Sequence, residues 1–128
     1  MSVKHDDDTG TTQLLYDPQP IAALREANIA RDKEFNPDKV ITLSFRGNEL
    51  AGEVGEACNI IKKMERTRLG LSGGLPYGLA RDMLKDELAD AIMCIDLIAM
   101  DLQIDLGTEV RRKFNKDSIS FGFNTRMR

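Results

Sequence analysis

The chain has a single histidine, His5, which lies in the acidic stretch near the N-terminus, and it has no tryptophan. One imidazole cannot build a serine–histidine triad, a helical two-histidine zinc motif or the paired Glu-x-x-His sites of di-iron bundles. Cysteine is also scarce. Cys58 and Cys94 both fall inside apolar helical patterns, so they are expected to be reduced thiols of the core and not a disulfide framework. No apolar run approaches the roughly 20 residues that cross a bilayer, and the polar start is no signal peptide. The expectation is therefore a cytoplasmic protein with no membrane partner. Charge of one sign is lacking too: 18 basic against 21 acidic side chains leave a net charge of -3. That balance provides no broad field for nucleic acid, and none is expected as a partner.

What remains is an ordinary soluble composition, 41% hydrophobic and 30% charged, over 128 residues, enough for one core. Residues 1–17 have little to bury and are expected to form a mobile N-terminal segment, leaving residues 18–128 as the single domain. A first helix is expected to open after Asp17-Pro18-Gln19-Pro20, carry Ile21, Leu24, Ala27 and Ile29 inward, and end at Asn36-Pro37. Residues 38–44 fit an extended or a helical reading. Ser44 is the candidate N-cap of a second helix over about 45–68, with Leu50, Val54, Ala57, Cys58, Ile61 and Met64 as its apolar stripe.

Leu69 to Leu79 contains four glycines and a proline and is expected to be a loop. A third helix is expected from about Ala80 to Leu102, striped by Leu84, Leu88, Ala91, Ile92, Ile95, Ile98, Ala99 and Leu102. Asp105 recaps the chain for a short fourth helix supported by Val110 and Phe114. No convincing alternating strand is present. The expected fold class is all-α, a small bundle packed antiparallel through short connections.

The second and third helices resemble each other. Leu50, Glu53, Val54, Glu56, Ala57 and Ile61 align with Leu84, Glu87, Leu88, Asp90, Ala91 and Ile95, thirty-four residues on. At about 100° per residue, the acidic residues of each pair lie about 60° apart on one flank of the apolar stripe. Antiparallel packing turns both flanks to the same side, so four carboxylates converge on one groove. Such a group repels itself unless a cation sits among it, and all-oxygen donors suit Mg²⁺ or Mn²⁺. A site of that kind neutralises and orients a triphosphate and activates water for attack on the α–β anhydride. On spacing alone, a solvated acidic helix face explains the pattern as readily.

Glu53-Val-Gly-Glu56 followed by Glu87-Leu-Ala-Asp90 resembles the ExxE…ExxD signature of the MazG-like, all-α nucleotide pyrophosphohydrolases. The surrounding wording resembles it as well: ELAGEVGEACNIIKKMER, then DELADAIMCIDLIAMDLQIDLG, then VRRKFNKDSISFGF, so that residues 21–125 are covered. The resemblance implies a homodimer or homotetramer whose subunits complete the bundle. It further implies hydrolysis of a nucleoside triphosphate, often a deoxy or non-canonical one, to monophosphate and pyrophosphate. Glu53, Glu56, Glu87 and Asp90 would then be the metal ligands.

Two departures stand out. Some members carry a glutamate just before the first motif glutamate, where this chain has Gly52; Glu49 is the candidate to take over any role in activating water. The spacer from Ala57 to Asp86 is long, with its glycines forming either a lid or a tolerated insertion, and it lacks the G-x-x-x-x-G-K-[ST] of a P-loop. By the same resemblance Lys113 faces the triphosphate, with Lys116, Arg112, Lys62 and Lys63 as further cationic candidates. Phe35 is a candidate to stack on the base, with a core or dimer-interface residue as the equal alternative, and Asn28 is a candidate to bond the base edge. Two other functions fit the same fold. One is a relative acting on phosphoribosyl-ATP; the other is a non-catalytic helical oligomerisation module.

Overall fold

A computed structural model describes residues 2–5, 12–15 and 19–128. Its body is all-α: α1 (Gln19–Phe35), α2 (Leu43–Arg68), α3 (Tyr77–Asp101) and α4 (Leu106–Ser120). Ahead of α1, β1 (Ser2–His5) and β2 (Thr12–Leu15) pair antiparallel, with Ser2 opposite Leu15 and His5 opposite Thr12. No alternating pattern announces this hairpin, because four residues per strand are too few for a period of two to stand out. The expected mobility of the N-terminal segment concerns in part residues 1, 6–11 and 16–18, which lie outside the described residues.

The helix ends follow local chemistry, and two differ from expectation. Thr42, not Ser44, caps α2; its Oγ1 accepts the Phe45 amide at 3.1 Å, and Ser44 lies inside the first turn. α3 begins at Tyr77, three residues before the expected start, because Pro76 has the extended φ and ψ that feed a helix and Gly78 is tolerated in a first turn. Asp105 caps α4 as expected, its Oδ1 accepting the Thr108 amide at 3.2 Å. Residues 36–42 are irregular, with Asn36 Oδ1 accepting the amides of Val40 and Ile41.

The dominant packing is α2 against α3. The turn between them brings Gly74 hard against the end of α2, where any Cβ would collide with Thr67. Thr67 Oγ1 donates to the Leu75 carbonyl at 2.6 Å, and the Leu75 amide donates to the Lys63 carbonyl at 3.1 Å, so the reversal is pinned on both sides. α1 lies on α3, and α4 makes its main helix contact with α1.

The core of the single chain is small. Its buried apolar residues are Ala57 and Ile60 of α2 with Ala80, Ala91 and Ala99 of α3. Alanines let the two helix backbones approach closely but bury little area. Much of each expected apolar stripe stays in solvent. Val54, Ile61, Leu88 and Ile92 are 44 to 55% exposed, and Cys58 is exposed, against the expectation of a core thiol. Cys94 is half-buried, and neither cysteine is in a disulfide. α1 departs from expectation in the same direction. Its buried positions are polar, Asn28 and Asp32, whereas Ile29 is 42% exposed.

Candidate metal centre

On α2, Arg46, Glu49, Glu53 and Glu56 follow one another at intervals of three and four. On α3, Glu87, Asp90, Cys94, Leu97 and Asp101 do the same. Residues at that spacing form a nearly straight line on a helix. The antiparallel pairing is fixed at one end by Arg46 Nε, which donates to Asp101 Oδ2 at 2.5 Å. Running both helices back from that contact brings Glu49 near Leu97, Glu53 near Cys94 and Glu56 near Asp90, with Glu87 one further turn along α3. One polar seam results, with opposite contents at its two ends.

At the far end of the seam, carboxylate oxygens of Glu53, Glu56 and Glu87 all lie within 4.8 Å of one another. Glu53 and Glu87 are half-buried and Glu56 is exposed. Oε2 of Glu53 and Oε2 of Glu87 are shielded from solvent yet have no hydrogen-bond partner. A buried carboxylate oxygen without a donor costs free energy that its surroundings normally recover. The crowding is visible in Glu87, which is pushed up to about 7. The first cause is its hydrogen bond to Glu56, which requires a proton; burial follows, then the hydrogen bond to Glu53 and the negative charge of both neighbours.

Three of the four sequence-proposed ligands thus come together. Asp90, one turn along α3 from Glu87 and one methylene shorter than glutamate, is half-buried and lies outside that group of three. Its charge, with those of Glu49 and Glu53, reaches Cys94. That thiol is pushed up first by burial and then by these carboxylates, with Arg46 opposing them. The donor set of the three glutamates is all oxygen and acceptor-only when ionised. That matches a hard divalent cation, which would supply the missing partner for both orphaned oxygens.

The other sequence-proposed residues are distributed unevenly. Lys63 is half-buried, two turns beyond Glu56 on the same face of α2. Lys113 is exposed and ion-paired with Asp117 along α4, Arg112 with Glu109, and Lys116 and Lys62 are exposed. Because α4 rests chiefly on α1, the chain itself does not assemble these α4 cations with the glutamates. Glu49, Asn28 and Phe35 do share a place. They line a cavity of about 230 Å³ between α1, α2 and α3, together with Arg31, Asp32, Arg46 and Leu97.

Sequence reading passed over the buried ionic groups behind that cavity. Arg46 is only 3% exposed and joins three helices, bonding Asp101 of α3 and, through Nη2 at 2.9 Å, Asp32 of α1. The Arg46 guanidinium, with Lys39 adding a bond at 3.3 Å, holds the Asp32 carboxyl below the usual aspartate range despite burial. Asp96, fully buried, accepts from Arg25 Nε at 3.1 and 3.2 Å and from Asn28 Nδ2 at 2.9 Å. The available signal was Asp96 itself, a charge set within the apolar run of α3.

Compared with models of known protein families, with curated proteins and with solved structures, the chain matches none.

Proposed function

We propose that the protein is a metal-dependent pyrophosphohydrolase of MazG-like type, which cleaves a nucleoside triphosphate, in particular a deoxynucleoside triphosphate, to its monophosphate and pyrophosphate. The observation that carries this reading is the trio of Glu53, Glu56 and Glu87, gathered from two helices with two shielded oxygens left unbonded. Holding three like charges together has no benefit to a helical pair unless a cation compensates them. That argues against a non-catalytic module, for which leucine or lysine at these positions would serve better.

In this reading Glu53, Glu56 and Glu87 hold Mg²⁺ or Mn²⁺, and Asp90, next on the same line, is the further oxygen donor. The ion supplies charge neutralisation for the triphosphate and a lowered pKa for water. Glu49, one turn from Glu53 and free of any ion pair among the described residues, is placed to accept the proton that the attacking water gives up. Lys63 extends the line in the other direction and offers a cation to the leaving pyrophosphate.

The reading includes a homodimer or homotetramer. Val54 and Ile61 of α2 and Leu88 and Ile92 of α3 form apolar surface that a second copy would cover. A neighbouring subunit also offers a route by which Lys113 and Lys116 reach a triphosphate.

The test is product analysis of the purified protein over a panel of nucleotides. Pyrophosphate and monophosphate in equal amounts, abolished by chelator and restored by Mg²⁺ or Mn²⁺, are expected. Release of orthophosphate alone would overturn the assignment.

A further inference from the structure

The cavity between α1, α2 and α3 begins one turn from the glutamates. Glu49 lines it, and Glu53 follows four residues later, about 6 Å along the helix axis. Taking the proposed phosphate-side site as given, the rest of a nucleotide has this half-open cavity next to it, and about 230 Å³ accommodates a base. Which base it favours depends on the polar atoms it presents.

The decisive group is Asn28, 1% exposed. Its amide cannot choose its orientation freely. Asp96 is a carboxylate held by Arg25, and the Met93 carbonyl lies beside it; both are acceptors only. They take Nδ2 of Asn28 at 2.9 and 3.4 Å, which uses both of its hydrogens. An amide flipped the other way would set an oxygen against a buried carboxylate. Asp96 and Met93 do not line the cavity, whereas Asn28 does. The polar atom left for the cavity is therefore Oδ1, and no described residue donates to it. Asp32, also buried and also lining the cavity, is a second acceptor, although its oxygens already take Arg46 and Lys39; the lining donors are Arg31 and Arg46, the latter committed to Asp32 and Asp101.

We infer that this cavity selects a nucleobase carrying an exocyclic amino group, cytosine or adenine, over its oxo counterpart. An amino group donates to Asn28 Oδ1. An oxo group in the same place sets two acceptors face to face and gives Asn28 Oδ1 no donor. Arg25 and Asp96 act as positioning residues, since together they fix the polarity of Asn28.

The experiment compares isosteric pairs on the wild-type protein with Mg²⁺: dCTP against dUTP, and dATP against dITP, by pyrophosphate release. For the ring size that is turned over, the amino member should be favoured in kcat/KM by at least about tenfold, the value of one buried hydrogen bond. In parallel, binding of deoxycytidine and deoxyuridine, or deoxyadenosine and deoxyinosine, is measured by calorimetry without metal; the same preference is expected there. Asn28→Leu should bring the ratio toward one while Mg²⁺ binding persists; if that variant does not fold, the wild-type pairs decide alone. Equal use of both members, or preference for the oxo member, overturns the inference while pyrophosphate release leaves the proposed reaction standing. Absence of hydrolysis with a retained amino preference in nucleoside binding would instead sink the reaction and keep the pocket.

Discussion

The two ends of the α2–α3 seam are built from the same kinds of residue and behave in opposite ways. At one end Asp32 and Asp101 converge on a buried arginine, and with Lys39 on Asp32 their two charges are matched within the chain. At the other end Glu53, Glu56 and Glu87 converge on one another with no cation among them. The same antiparallel packing creates both clusters, so helix geometry cannot explain the difference. One end is a structural clamp whose charges are complete. The other gathers three carboxylates with no cationic side chain paired to them among the described residues, and that imbalance marks it as the candidate site.

The strongest way to break the comparison is to unbalance the clamp. Arg46→Met leaves Asp32 buried and Asp101 part-buried without their common partner. Removing one member of a buried ion pair costs about 3–5 kcal/mol, and chemical denaturation should register a loss of that size. Adding Asp32→Asn and Asp101→Asn to Arg46→Met, a triple variant, should recover part of it. If Arg46→Met were as stable as the wild type, the clamp would be no more than a surface pairing.

Next in size is the same operation at the other end, with the opposite sign for stability. Glu87→Gln removes a crowded negative charge and leaves an isosteric amide that donates to Glu53 or Glu56. Turnover should fall by about 100-fold or more, since each ligand contributes several kcal/mol of charge stabilisation. Calorimetric Mg²⁺ binding should weaken in parallel. The metal-free melting temperature should rise, because repulsion has been relieved. Glu53→Gln should behave alike. A lower melting temperature with unchanged Mg²⁺ binding would show the trio to be structural.

This contrast also explains what could be read from the residues alone. The acidic pairs were legible because spacing and helix period fix which residues share a flank, and the short glycine-rich loop fixes antiparallel order. Asp90 was harder, since whether a carboxylate joins a cluster depends on one methylene of reach and on rotamers, which periodicity does not encode. The clamp was invisible for a different reason. Arg46, Asp32 and Asp101 come from three helices, and long-range pairing between charged residues leaves no local pattern. The alanine-lined core was also hidden, because an apolar stripe announces burial without saying whether its own chain or another covers it. Hence Cys58, Val54 and Leu88, sound members of their stripes, are exposed in the single chain.

The subtlest prediction uses pH to separate the two ends. Asp32 is held below its ordinary value, 3.8, chiefly by its hydrogen bond to Arg46. Its stabilising contribution is therefore complete above about that pH and is lost as acid protonates the folded carboxyl, so stability there should rise with pH. Glu87 has the reverse sign. Its folded value is about 7 against an ordinary 4.5, so between those values the folded chain holds a proton that the unfolded chain has released. Stability of the metal-free protein should accordingly fall as pH rises from 4.5 to 7. Saturating Mg²⁺ should remove that decline, since the ion takes the place of the shared proton, and Mg²⁺ affinity should increase over the same window as the proton is displaced. Denaturation curves at half-unit pH steps, with Mg²⁺ and with chelator, resolve the two slopes. Glu87→Gln should abolish only the upper one and leave the acid limb set by Asp32 intact. A decline above pH 4.5 that persists in Glu87→Gln would place its origin elsewhere and remove the contrast between the balanced and the unbalanced end.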